Sequence, residues 1–415
     1  MKFEFKVNVI AAAAVSIITA TGLKQASADW PGFLGPGGNP VVTAGNLPTS
    51  FSVDENGLPG ENVAWKCAIE GRSVSGPIVV DGRVITTSSS AMEGRWIHVT
   101  AVDAESGEVL WHRSNKSTGR PFCHPTSANA APTPCTDGQR VYAFYSSNDL
   151  LCYDLDGNLQ WFRSLTEAHQ LAGNDVGMSS SPVVADGVVV VTVECQADSF
   201  TAGLDALTGE TLWEVPRPKK ANWASPRIAK DSEGNEVVVL HGLEDLVGID
   251  PKSGKQVWKI DLRCSSVASA VCSDGKLYVP AGGVKVFDVA KALEEPKPAW
   301  ETNRISPNSA SLLVSPLGLI GLNRSILVCS DDSGQRKWNA RLENAGQIWA
   351  TPVIAGNRLY AFGMSGKCFT VELADDGAEV VATSELGAEV LGSPAVDGDA
   401  LYVRSVDALW KISAK

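Results

Sequence analysis

Short runs rich in Val, Ile and Leu recur along the chain, each bounded by a turn signal. SGPIVVDGRVITT, SSPVVADGVVVVTV, ATPVIAGNRLYAF and GSPAVDGDALYV share a small residue, a Pro, a β-branched run, a Gly turn and a second β-branched run. Runs of this length and composition read as paired strands. The Asp-Gly pairs Asp81-Gly82, Asp137-Gly138, Asp186-Gly187, Asp274-Gly275 and Asp397-Gly398 supply the positive φ that tight hairpins require. NWASPRIAKDSEGNEVVVL, SVASAVCSDGKLYV and SASLLVSPLGLIGL are weaker members, the last two without the first Pro.

A second pattern lies between these hairpins. A Gly stands four residues before a Trp at Gly107/Trp111, Gly157/Trp161, Gly209/Trp213, Gly254/Trp258 and Gly334/Trp338, each Gly preceded by an acidic turn such as VDAES or LDALT. A sixth copy keeps Gly377 but has Val381 where Trp is expected, and a seventh is stretched around FDVAKALEEPKPAW, ending at Trp300. Self-similarity at a fixed period signals a repeat architecture. Four strands per unit place unit starts near Ser75, Ala131, Ser181, Ser225, Ser269, Ser311, Thr351 and Ser393. The spacing of about 44 residues is that of a propeller blade. The last unit is one strand short, while ENVAWKCAI around Trp65 is a strand with no unit of its own. Pairing the two closes the ring and removes its open edge.

The expected fold is therefore all-β: an eight-bladed propeller of four-stranded antiparallel blades spanning residues 61–415, preceded by an extension over 29–60. A four-stranded meander cannot bury both faces alone, so neighbouring blades must cover them. Trp65, Trp111, Trp161, Trp213, Trp258, Trp300 and Trp338 are expected to wedge between blades, each with an indole N–H available to the backbone.

Lys2 and Lys6 precede an uncharged stretch from Val7 to Leu23, followed by Lys24 and Ala26-Ser27-Ala28, an A-x-A cleavage pattern. Residues 1–28 read as a signal peptide cut after Ala28. The expected location is periplasmic or secreted, with no membrane insertion after cleavage. The first cysteine is Cys67, so no lipidated N-terminus is expected. The 35 basic and 47 acidic residues give a net charge of −12 with no basic cluster, which argues against a nucleic-acid partner. Nine cysteines leave at least one thiol unpaired; Cys152, Cys329 and Cys368 read as small buried hydrophobes, and Cys264 with Cys272 is the nearest pair for a disulfide. His98, His112, His124, His169 and His241 show no metal-binding spacing, so no metal site is expected. No nucleophile elbow or phosphate loop is visible, and no catalytic residue is assigned.

The Gly-x-x-x-Trp and small-Pro-Val-Val copies resemble the PQQ-like, quinoprotein-type β-propeller repeat across nearly all of the mature chain. The segment DWPGFLGPGGNP, from Asp29 to Pro40, is similar to the opening of many exported bacterial members of that group, whose activity is mostly unassigned. The resemblance implies one of two roles. The first is a non-catalytic scaffold in the cell envelope, related in fold to the propeller lipoprotein of outer-membrane protein assembly. It would bind an envelope protein, a peptide or a small ligand, as a monomer. The alternative is a PQQ-dependent oxidoreductase resembling the quinoprotein alcohol dehydrogenases, with PQQ and Ca²⁺ in the central cavity. That branch places a ring formed by adjacent cysteines over its cofactor, and no Cys-Cys pair occurs here. The scaffold role is preferred, and no cofactor is expected with it. In either role the residues before each innermost strand face the central funnel. These are His124, Ser127, Asn129, Asn174, Ser179, Asn222, Trp223, Arg304, Asn308, Gln347 and Trp349, with Trp223 and Trp349 as aromatic platforms.

Overall fold

The computed structural model describes residues 30–43, 46–291 and 296–414. The signal peptide expected over 1–28 lies outside them, as do residues 292–295 of the Lys291–Trp300 insert. Among the described residues the strands form eight sheets, with only three single-turn 3₁₀ segments between them. No helix there is long and apolar enough to cross a membrane.

Blades 1 to 7 each run outward from an inner strand at Ile78–Val80, Cys135–Thr136, Val183–Ala185, Arg227–Lys230, Val271–Ser273, Leu313–Ser315 and Val353–Ala355. Blade 8 takes three strands from the C-terminal end of the chain, Ala395–Asp397, Ala400–Arg404 and Ala408–Ser413. Its outermost strand is Val63–Ala68, which pairs antiparallel with Ala408–Ser413. The ring therefore closes through strands from the two ends of the propeller sequence, and the hydrogen-bonding edge of Ala408–Ser413 is satisfied.

The Gly-x-x-x-Trp motif works across two different interfaces. Trp111 of blade 1 lies over Gly157 of blade 2 and donates its indole N–H to the Leu155 carbonyl at 2.8 Å. Trp161 lies over Gly209 and donates to Ala206, Trp213 lies over Gly254 and donates to Pro251, and Trp65 lies over Gly107 and donates to Ala104. In the motifs of blades 1 to 3 the Gly receives the indole of the preceding blade, and the Trp reaches the Gly of the following one. A Cβ on Gly157 would stand 2.6 Å from the Trp111 ring, and its φ of +78° is itself in the left-handed region. The acidic residue of each turn also organises its own loop, for Asp103 and Asp205 accept backbone N–H groups from residues two and three positions on. Those bonds hold both carboxyls below the usual range.

A register shift precedes the Trp in blades 1 to 4, 6 and 8, skipping the residue immediately before it. Such a bulge re-aims the following side chain. In blade 7 the skipped residue is Val381, which corrects the expected correspondence: the position equivalent to Trp is Ala382, opposite Thr370. The shorter turn there, closed by the Ala374 N–H on the Gly377 carbonyl, moves the register by one.

The cysteines are all free, which corrects the expected Cys264–Cys272 disulfide. Cys264 Sγ approaches the Leu262 carbonyl at 3.5 Å, while Cys272 lies on the innermost strand of blade 5 near Arg227. Burial pushes both thiols up to about 12, which suppresses the thiolate that disulfide exchange requires. Cys152, Cys329 and Cys368 are buried among apolar neighbours, as expected.

Candidate functional site

The innermost strands begin at a ring of hydroxyl groups. The Gly76 N–H donates to Thr133 Oγ1, Thr133 to Ser181 Oγ, Ser181 to Ser225, Ser225 to Ser269, Ser269 to Ser311, Ser311 to Thr351 and Thr351 to Ser393, all at 2.9–3.0 Å. In blades 1 to 7 the backbone N–H that would otherwise face the channel is thus satisfied by the next blade. The equivalent positions in the first two blades are Gly76 and Thr133, which corrects the starts assigned near Ser75 and Ala131. The hydroxyl chain stops at Gly76 because blades 8 and 1 approach too closely there. A Cβ on Gly76 would stand 2.5 Å from the Ser393 carbonyl oxygen.

This ring surrounds a cavity of about 430 Å³ to which every blade contributes. His124, Ser127, Ser179, Trp223 and Trp349 line it, together with Val176, Val267 and Leu391. Trp223 is held by its indole N–H on the Gly177 carbonyl and by its backbone N–H on the Ser266 carbonyl. His124 Nδ1 is bonded to Thr126 Oγ1 at 2.8 Å. Trp349 is more than one-third exposed, and Phe122 and Val176 are exposed in the same group of mouth loops. The lining holds hydroxyls, the His124 imidazole, backbone and apolar surface. Among the described residues it contains no Asp, Glu, Lys, Arg, Asn or Gln.

The other nominated residues are not in the lining. Asn129 is fully buried, donating to the Gly94 carbonyl and accepting from the Ser147 N–H. Asn222 is buried between the Glu194 and His241 backbones, and Asn174 caps its own loop by accepting from Val176. Arg304 borders a separate polar depression with Lys285 and Glu301. Asn308 and Gln347 are both exposed, while their near neighbours Ser309 and Trp349 face the cavity. Amides beside an inner strand satisfy the backbone of the loop before they reach the channel.

Sequence reasoning missed the floor. Residues Trp30–Val42 cross the opposite mouth. Trp30 pairs with Val79 of blade 1, the Pro31 carbonyl accepts from Thr136 of blade 2, and the Phe33 carbonyl accepts from Arg227 of blade 4. Asn39 then bonds both backbone groups of Val314 in blade 6, and Val41–Val42 adds a parallel strand to blade 7. Phe33 forms part of the cavity floor, its ring 4.9 Å from the buried Arg227 guanidinium. Access is therefore from the His124–Trp349 side. Arg227→Leu is expected to release this segment, so that limited proteolysis cuts within residues 30–42 of the variant while the wild-type segment resists.

The fold and the sequence both have relatives. A protein from Moranella endobia (strain PCIT), named outer membrane protein assembly factor BamB, is 22% identical over 258 residues, which is 52% of this chain and 62% of that protein. The chain thus spans about three-fifths of that relative's length. The crystal structure of BamB from Moraxella catarrhalis matches 84% of this chain and 96% of its own at 15% identity, with a TM-score of 0.62. The quinohemoprotein alcohol dehydrogenase from Comamonas testosteroni matches 85% of this chain and 76% of its own at 14% identity, also with a TM-score of 0.62. At these identities the structural matches establish the propeller and nothing about activity. The repeats match one family over residues 59–195, 171–283 and 202–415, and the chain belongs to that family, described as outer membrane protein assembly factor BamB.

Proposed function

We propose that this protein is an exported, non-catalytic propeller of the cell envelope that binds a segment of a partner protein at its open mouth. The observation that carries this reading is the cavity lining: two Trp platforms and an apolar rim above a hydroxyl ring, with no Asp, Glu, Lys or Arg side chain. Such a surface suits apolar side chains and the backbone of an extended peptide. Family membership supports a scaffold role in outer-membrane protein assembly.

The lining does not fit the alternative. PQQ carries carboxylates that need cationic or amide partners, and Ca²⁺ takes six to eight oxygen ligands, usually including Asp or Glu. Neither set is present around the cavity among the described residues. No chemical step is derived through a quinone.

The test places a photo-crosslinking residue at Val176, on the open mouth, and in a second variant at Lys276, beside the N-terminal segment on the opposite face. Envelope-protein adducts are expected at 176 and absent at 276. The same preparation is titrated with PQQ and Ca²⁺. Saturable quinone binding with dye-linked alcohol oxidation would overturn the reading.

A further inference from the structure

Blade 1 gathers three potential metal donors near the seam of the ring. Glu70 lies just beyond the closing strand Val63–Ala68, whereas His98 and His112 lie on the two outer strands of blade 1, Trp96–Asp103 and Val109–Lys116. One ligand atom from each lies within 4.8 Å of the other two. His112 Nε2 is 3.5 Å from Glu70 Oε2, and His98 Nε2 is 3.9 Å from Glu70 Oε1. Donors about 2.0–2.2 Å from a tetrahedral zinc ion are separated by roughly 3.3–3.5 Å. The Glu70–His gaps therefore require only a small contraction, which the exposed Glu70 side chain can supply, whereas the two His donors, within 4.8 Å of each other, close by rotation of the half-buried His112 ring.

The second ring nitrogen of each His is also oriented. His98 Nδ1 is bonded to Ser114 Oγ at 2.8 Å and His112 Nδ1 to Thr100 Oγ1 at 2.9 Å. Partners of this kind fix the tautomer and the ring direction of metal-bound histidines. Burial lowers the proton affinity of His98, aided by His112 and opposed by Glu70, which favours the neutral ligand form. Ser90 Oγ, 2.8 Å from His98 Nε2, adds a neutral oxygen at the same spot.

We infer that Glu70, His98 and His112 form a site for one divalent transition-metal ion of the zinc class, with its fourth position open to water or Ser90. The ion would connect the exit of the closing strand to the outer edge of blade 1. It would thus act as a clamp on the blade 8–blade 1 seam, independent of the funnel and its partner. Metal bound to the folded chain and absent from the unfolded one raises folding stability.

The experiment uses the metal-free mature chain with Zn²⁺ or Co²⁺. One equivalent is expected to bind, giving visible Co²⁺ bands of a tetrahedral N/O site without the near-ultraviolet thiolate charge-transfer bands of cysteine ligation. Zn²⁺ is expected to raise the thermal midpoint. Glu70→Gln and His112→Gln, at an exposed and a half-buried position, are each expected to weaken binding at least ~10-fold and to abolish the midpoint shift. Absence of binding, thiolate bands, or unchanged affinity in both variants would each overturn the site. If His112→Gln fails to fold, Glu70→Gln decides the question alone.

Discussion

Trp213→Ala is expected to lower the unfolding free energy by about 3–5 kcal/mol, measured by urea denaturation with an unchanged m-value. The indole is buried, stacks over Gly254 of the next blade, lies opposite Gly203 on its own blade and donates to the Pro251 carbonyl at 2.7 Å. Both glycines lack the side chain that could fill the vacated space, so the cavity should persist. Trp213→Phe keeps much of the apolar area and removes only the N–H donor, so a loss of about 1 kcal/mol is expected. The same blade interface recurs at Trp65, Trp111 and Trp161, and their alanine variants should fall in the same range. A much smaller loss for Trp213→Ala, no greater than that of Trp213→Phe, would show that the wedge is incidental to ring stability.

The second large effect concerns Arg217. Its guanidinium is buried between Glu194 and Asp245, with Nε to Glu194 Oε1 at 2.6 Å and Nη2 to Asp245 Oδ1 at 2.7 Å. Arg217→Met leaves the buried Glu194 carboxylate without its cation and Asp245 with only the partly exposed Lys259 at 3.6 Å, at a cost of about 3–5 kcal/mol. The triple variant Glu194→Gln/Arg217→Met/Asp245→Asn should recover much of that loss, because it removes the charges together. Burial already raises the Glu194 pKa, with Arg217 as the main opposing influence. Without Arg217 the folded state holds the Glu194 proton more tightly still. A group whose folded pKa exceeds its unfolded value contributes stability at low pH that is lost as pH rises through the folded pKa. The deficit of Arg217→Met should accordingly shrink as the pH is lowered from neutral toward the carboxylate range, and a pH-independent deficit would refute the assignment. This cluster also supports the open mouth: the Glu194 carbonyl accepts from Asn222, whose neighbour Trp223 forms one platform. Emission from Trp223 should therefore change in Arg217→Met.

The site was only partly legible in the sequence. Trp223 and Trp349 were recognisable because they stand just before Ser-Pro and Thr-Pro steps, where an inner strand starts. Asn129 and Asn222 stand at comparable positions, yet their amides are drawn into the backbone of adjacent loops. Nothing in one-dimensional spacing separates an amide that satisfies a carbonyl from one that faces a ligand. His98 and His112 illustrate the opposite case. They are fourteen positions apart and fit no metal motif, but strand pairing sets Thr100 opposite His112 and His98 opposite Ser114, which makes the imidazoles diagonal neighbours.

The sequence by itself determined the blade count, the meander in each blade and the closure of the ring, because those follow from local periodicity and a strand missing at one end but spare at the other. It also determined which Trp residues belong to the outer strands. Only the tertiary structure decided which Gly each Trp meets, since the two halves of one motif serve opposite neighbours. It likewise decided that the Trp30–Phe33 segment floors the channel and that no Asp, Glu, Lys or Arg side chain enters the lining. Those features arise where eight distant segments converge on one axis, and the contacts made there depend on ring geometry that no single repeat contains.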